Sequence, residues 1–243
     1  MSDPRADSRR KKDFGTGVIN PWINHLNDLG VTIKTESPVA GLKFQNGRAV
    51  GETTGEEYDY VILALDLPGQ KIVLENSVAS DLKSAQVLQK LRDPISRLKI
   101  APPYKVMRVW FDGRLPDSYP DIIETPQHYP IHLVAQFNQI EDEAAMWANA
   151  THGSIMEFHL YCLKDAEWSS ITDAQVWDKI KSTAYEIAPE IEKLKVLGYN
   201  VNSYHNFPSF EKGQHHFRPF TTFPSKVGAT NVAFAGDFVQ TVR

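Results

Sequence analysis

Asp237 stands in the setting most suggestive of chemistry. Val232, Ala233, Phe234 and Ala235 precede it as a short apolar run, the pattern of a strand buried on both faces. Gly236 follows, where the backbone can turn sharply and a ligand can approach closely. An acidic side chain at that point can accept hydrogen bonds from sugar or polyol hydroxyls. The alternative is an ordinary strand and turn. Other reactive side chains are less suggestive. His128 and His132 are four apart, but Pro130 lies between them and argues against a helical metal pair. His215 and His216 are adjacent in a Phe- and Pro-rich loop without a Cys or carboxylate partner pattern, so no metal is assigned. Cys162 falls on an apolar strand pattern with Met156, Phe158 and Leu160, which predicts an inert core thiol. There is no G-x-S-x-G, no P-loop and no Cys-x-x-Cys.

The elements that must position these groups follow from local pattern. Asn20 reads as an N-cap with Pro21 at the first helical position. Ile19, Trp22, Ile23, Leu26 and Leu29 share a face, and Gly30 is a stop. Strands are expected at 31–34, 39–44, 49–53 and 58–65, with an Asn46-Gly47 hairpin turn between the second and third. Leu67-Pro68-Gly69 reads as a break leading into a second domain. A helix follows through Leu82, Ala85, Leu88 and Leu91, ending before Pro94. Strands are expected at 104–111, 132–137 and 155–163. Thr172 and Gln175 predict a capping box, with a helix through Trp177, Ile180, Ala184 and Ile187 that Pro189 ends. Met107, Val109 and Phe111 share one strand face, as do Phe158 and Leu160. That apolar surface could line a hydrocarbon tunnel or be plain core.

The totals bound the class. With 243 residues, 42% hydrophobic and 23% charged, the chain is ordinary globular material for one large or two modest domains. A net charge of −4 argues against a nucleic-acid surface. One cysteine excludes an internal disulfide. No apolar run approaches the roughly 20 residues of a membrane span, and the start has no secretory core. A cytoplasmic or peripheral-membrane protein is expected. The first 14 residues read as a disordered tail with a basic cluster at Arg9–Lys12, where membrane-surface contact is the minor alternative. Gly15-Thr16-Gly17 is no dinucleotide fingerprint, because no strand precedes it and Asn20 occupies the third glycine position.

Three stretches together, GVINPWINHLNDLGVTIKTESPVAGLKFQNGRAVGE, YDYVILALDLP and NVAFAGDFVQT, resemble the flavin-containing amine oxidase and phytoene desaturase-like superfamily of FAD-dependent oxidoreductases. The AGDF text followed by a polar pair is closer to the desaturase branch. The resemblance implies an α/β plus α+β architecture: a partial FAD-binding domain of glutathione-reductase-like type, with an inserted mixed-sheet substrate domain. Its expected boundaries are 15–66 with 226–243 for the FAD-binding domain and 67–225 for the substrate domain. It implies FAD contacts from Val39, through its backbone, from Ala64, and from Gly236 and Asp237. Met107, Val109, Phe111, Phe158 and Leu160 would contact an apolar substrate. Amine oxidases of the superfamily carry a lysine in the strand matching Tyr104–Phe111. Val106 falls at that position, and Lys105, one residue away, would face oppositely.

The chain departs from the superfamily in lacking the strand–GxGxxG–helix unit that cradles the FAD pyrophosphate. Strands 58–65 and 232–235 would then have open edges. A fragment of a longer enzyme, a truncated product, or half of a split protein completed by a chain carrying GxGxxG would each explain this. The expected activity is two-electron oxidation of an apolar substrate, of the kind used in carotenoid biosynthesis. A non-catalytic lipid- or partner-binding remnant is the alternative, and an amine oxidase the weaker one.

Overall fold

The computed structural model describes residues 13–116, 118–164 and 166–240. The expected disordered tail lies, apart from its last two residues, outside them. In chain order the elements begin with α1 (Asn20–Asp28), β1 (Leu42–Gln45), β2 (Arg48–Glu52), β3 (Val61–Ala64), α2 (Leu67–Asn76), β4 (Val78–Ala79) and α3 (Leu82–Arg97). Next come β5 (Tyr104–Phe111), β6 (Ile122–Glu124), β7 (Ile131–Gln136), α4 (Asp142–Thr151), β8 (Ser154–Leu160) and α5 (Asp173–Ile187). The chain continues through β9 (Val196–Tyr204), α6 (Phe223–Lys226) and β10 (Val232–Ala235).

Two compact units result. One comprises the described residues up to Lys34 with Pro103–Tyr204; the other comprises Thr35–Pro102 and the described residues from His205 onward. These divisions differ from the boundaries expected from sequence. Residues 67–102 and 205–225 join the same unit as β3 and β10, because α2 and α3 pack their apolar faces on that unit's core. Leu67, Leu74, Leu88 and Leu91 are buried there with Leu42, Phe44, Leu63 and Phe234.

In this second unit β1 and β2 form the expected hairpin. Asn46 and Gly47 both have positive φ, 53° and 82°, as a type I′ turn requires. The N-terminus of α3 pins that turn. Asn46 N–H donates to Asp81 Oδ2 at 2.7 Å and Gly47 N–H to Ser84 Oγ at 3.0 Å. Strands β3 and β10 pair in parallel, Val61 opposite Val232 through Ala64 opposite Ala235. They form a two-stranded sheet with no further strand among the described residues. Leu63 and Phe234 face the core, while Ile62 on the other face is 69% exposed. Parallel sheets normally bury both faces, so this one is open on one face and along the free edge of β3.

The first unit is built on a five-stranded sheet in the order β6-β7-β8-β5-β9, with antiparallel neighbours throughout. One face carries the core: Met107, Val109, Phe111, Met156, Phe158 and Leu160 pack against Val176, Trp177, Ile180 and Ala184 of α5. Thr172 and Gln175 form the expected capping box. The opposite face is partly covered by α4, where Phe137, Ala144 and Ile155 meet Trp110 and Trp147.

Several local expectations are corrected. Asn20 is not the N-cap of α1. Ile19 is, in helical geometry, because a π-helical turn over Gly15–Ile19 runs straight into the helix. Gly30 does end it, at φ 80°. The expected apolar face of α1 is not buried; the helix buries no residue. No strand forms at 31–34. The Leu67-Pro68-Gly69 break is instead the first turn of α2: Asp66 caps it, accepting from Gly69 N–H at 2.7 Å, and proline is tolerated at that position. Helix α3 runs past Pro94 to Arg97, since a proline in the last turn costs few helical bonds. Cys162 is not a core residue. Strand β8 ends at Leu160, and Cys162 lies beyond it, exposed, at φ 58°.

Candidate functional site

Of the residues expected from sequence, Ala64, Gly236 and Asp237 stand at the carboxyl ends of β3 and β10. Ligands of open parallel sheets bind outside these ends. Val39 precedes β1 by three residues and lines a cavity of about 180 Å³ with Leu42, Tyr58, Ile62, Ala64 and Val73. The structure therefore brings Val39 and Ala64 together. Gly236 directly follows β10. Its φ is 133°, and a Cβ there would meet the Leu65 carbonyl oxygen at 2.8 Å. The close approach that requires glycine is thus to the end of the β3 strand. Asp237 is exposed. Its backbone carbonyl accepts from Arg218 Nη1 at 2.8 Å, and no described residue bonds its carboxylate, which is left to accept hydroxyl donors.

Asn231, ahead of the apolar run, is the residue whose role sequence reasoning missed. It is buried, and its amide reads the backbone like a strand. Oδ1 accepts from Ala49 N–H at 3.0 Å, and Nδ2 donates to the Ala49 and Asp59 carbonyls at 2.6 and 2.9 Å. Its own carbonyl accepts from Val61 N–H at 2.9 Å. One side chain thereby ties the β1–β2 hairpin to the parallel pair. An apolar run preceded by asparagine and followed by Gly-Asp was the available signal.

The residues present fit part of a flavin dinucleotide. Val39, Ala64 and their cavity suit an apolar ring, and the Asp237 carboxylate suits polyol hydroxyls. A pyrophosphate is less well served. Helix N-termini attract anions through free N–H groups, yet α2 and α3 are already capped by the Asp66 and Asp81 carboxylates. Bonds from the Ser84 and Asn46 amides hold the Asp81 carboxyl down at about 2.

The expected substrate-facing residues are placed differently. Met107, Val109, Phe111, Phe158 and Leu160 are fully enclosed in the core under α5, so they are plain core and not the wall of an open tunnel. Lys105 lies on that same face, 7% exposed, and donates to Ser203 Oγ at 2.7 Å; burial pushes its ammonium down. Val106 is on the opposite face with Tyr104, Arg108 and Trp110. Among the described residues no three His, Cys, Asp or Glu side chains converge as a metal site. No described helix is long and apolar enough to cross a membrane.

No protein-family model matches the chain. Two curated relatives carry the same name. A carotenoid phi-ring synthase of Streptomyces griseus is 28% identical over 232 residues, covering 94% of this chain and 42% of that protein. One of Chlorobaculum tepidum is 23% identical over 200 residues, covering 79% and 29% respectively. The chain thus spans less than half the length of either. Among solved structures, a reduced UDP-galactopyranose mutase superposes with TM-score 0.59 at 10% identity, covering 83% of this chain and 41% of that one. An oxidoreductase of Methanosarcina mazei gives 0.57 at 17%, covering 93% and 49%. Putrescine oxidase bound to putrescine gives 0.56 at 15%, covering 91% and 47%. The mixed α/β fold is one that this chain shares with these solved structures, and the likeness is one of fold.

Proposed function

We propose that this chain is part of an FAD-dependent oxidoreductase that oxidises an apolar, carotenoid-type hydrocarbon by two-electron transfer. The observation that carries the proposal is the similarity to a carotenoid phi-ring synthase across 94% of the chain. The Asp237 carboxylate at the end of β10 and the Val39–Ala64 cavity support it. FAD, when bound, supplies the two-electron acceptor. Val39 and Ala64 would hold its apolar end, and Asp237 would hold its hydroxyl-rich chain. Pro103–Tyr204 lies in sequence between the two stretches of the other unit, which supports an inserted substrate domain. Lys105 points into the core, which weighs against an amine oxidase.

A further chain or segment carrying GxGxxG is proposed to complete the cofactor site. The free edge of β3 and the exposed Ile62 beside it support that reading, since an uncovered apolar strand edge invites pairing. The site of action is proposed to be the cytoplasm or a membrane surface.

The test is an FAD titration of the purified chain, followed by flavin fluorescence and absorbance, with and without a GxGxxG-bearing segment. Stoichiometric binding on adding the segment is expected. Asp237→Ala should then weaken binding by roughly tenfold or more, the loss of a charge-assisted hydrogen bond of about 1.5–3 kcal/mol. Absence of binding under either condition overturns the proposal in favour of a non-catalytic lipid- or partner-binding role.

A further inference from the structure

Helix α3 turns two faces to different surroundings. Leu88, Leu91 and Ile95 enter the core that holds Leu63 and Phe234. Lys90, Asp93, Pro94 and Arg97, spaced i, i+3, i+4 and i+7, share another face and line a groove of about 330 Å³. Its opposite wall is His216, Phe217, Phe223 of α6, and Val227. Phe217, Phe223 and Val227 pack on the same core yet stay half-buried. All of these residues belong to the unit that carries β3 and β10. The volume falls at the low end of small-molecule sites.

The α3 wall carries an excess of positive charge. Arg97 and Asp93 pair at 3.7 Å through side chains 59% and 60% exposed, and such a pair is weak in water. The Arg97 guanidinium also lies 5.6 Å from the Phe217 ring centre, at the apolar wall. Among the described residues Lys90 has no ion-pair or hydrogen-bond partner. The carboxyl end of α3 does not absorb the excess, because Lys71 Nζ of α2 already donates to the Leu98 carbonyl at 2.6 Å. Two cations beside one carboxylate leave a single positive charge. That suits a monoanion better than a phosphate dianion, whose second charge Asp93 repels. A guanidinium presents paired N–H groups in the geometry that a carboxylate accepts. The phenyl rings favour a flat, unsaturated body through edge or face contacts.

We propose that this groove binds a small monocarboxylate with a flat, unsaturated body. Its carboxylate lies between Arg97 and Lys90, and its body lies against Phe217 and Phe223. The groove shares no residue with Val39, Ala64, Gly236 and Asp237, and it needs no flavin.

The probe is trans-cinnamate, titrated into the full chain at constant ionic strength and followed by backbone amide NMR. Saturable shifts at Lys90, Arg97, Phe217 and Phe223 are expected, with a Kd on the order of 1 mM for a ligand of this size. Acetate lacks the ring and cinnamyl alcohol lacks the charge; each should bind roughly fivefold or more weakly. Arg97→Gln should weaken cinnamate binding by about fivefold. Asp93→Asn removes the competing carboxylate and should strengthen it by about threefold. Both positions are exposed, so neither substitution threatens the fold. A gain at Asp93→Asn is a readout that a purely structural ion pair does not give. Absence of saturation by about 20 mM, shifts confined to other residues, or equal affinity for acetate or the alcohol overturns the inference. Tighter binding of inorganic phosphate in the groove, or an Asp93→Asn variant that binds cinnamate no more tightly than the parent, overturns it too. Either result leaves FAD binding at Val39 and Asp237 to its own titration.

Discussion

Replacing Asn231 by alanine should cost more than any other single truncation near the candidate site. The side chain is 2% exposed, and the Ala49 backbone it serves is 1% exposed. Three hydrogen bonds are lost, at 3.0, 2.6 and 2.9 Å, each contributing about 1 kcal/mol net. The Ala49 N–H and C=O are then left buried and unpaired, which adds roughly 1–3 kcal/mol. Water entering the space recovers part of this, so the expected loss is about 3–5 kcal/mol. Urea unfolding of the full chain, followed by circular dichroism and read as a shift in midpoint at constant slope, measures it. A loss below about 1 kcal/mol would refute the claim that this amide fastens the hairpin to the parallel pair. Asn231→Asp sharpens the test. It keeps an acceptor for Ala49 N–H but turns a second acceptor towards the carbonyls of Ala49 and Asp59, so burial should raise the carboxyl's pKa in the folded state. A raised folded pKa means that stability is retained below the unfolded value near 3.9 and is lost as pH rises through the folded one. The aspartate variant should therefore be more stable, relative to parent, at pH 4 than at pH 7; a gap independent of pH would sink that account.

Other outcomes follow from single residues. Gly236→Ala meets both the Leu65 carbonyl and a φ of 133°, and should lose roughly 1–3 kcal/mol in the same unfolding assay; Gly198→Ala in β9 meets nothing within 4 Å and should be neutral or slightly stabilising. Asp81 is held at about 2 by bonds from the Ser84 and Asn46 amides. Its contribution is complete above the ordinary value of 3.8 and should vanish as pH falls through about 2, so Asp81→Asn should flatten the acid limb of a melting-temperature profile between those values. Thr172→Ala removes one half of the capping box on α5 and should cost about 1 kcal/mol; a change within error would mean that packing of Trp177 and Ile180 alone sets that helix start.

What was legible in the sequence was mostly local. The Asn46-Gly47 turn was visible because its two positive φ values are demands on adjacent residues, and the capping box because Thr172 and Gln175 are three apart. Punctuation was misread where one residue serves two grammars. Pro68-Gly69 marks a break unless an acid precedes it, and Asp66 turns the same text into a helix start. Strand β8 carried its message in plain alternation. Met156, Phe158 and Leu160 were read as an apolar face, while Glu157 and His159 between them drew no reading. Nothing within the strand says that Glu157 will meet Arg108, because that pairing depends on β5 lying alongside in a register 49 residues away. Asn231 makes the same point across 182 residues. Its place ahead of the apolar run was in view, but an amide reveals what it reads only once the backbone it reads is beside it. Polar residues beside the core, such as Glu157 and Asn231, therefore carry long-range contacts on which periodicity alone is silent.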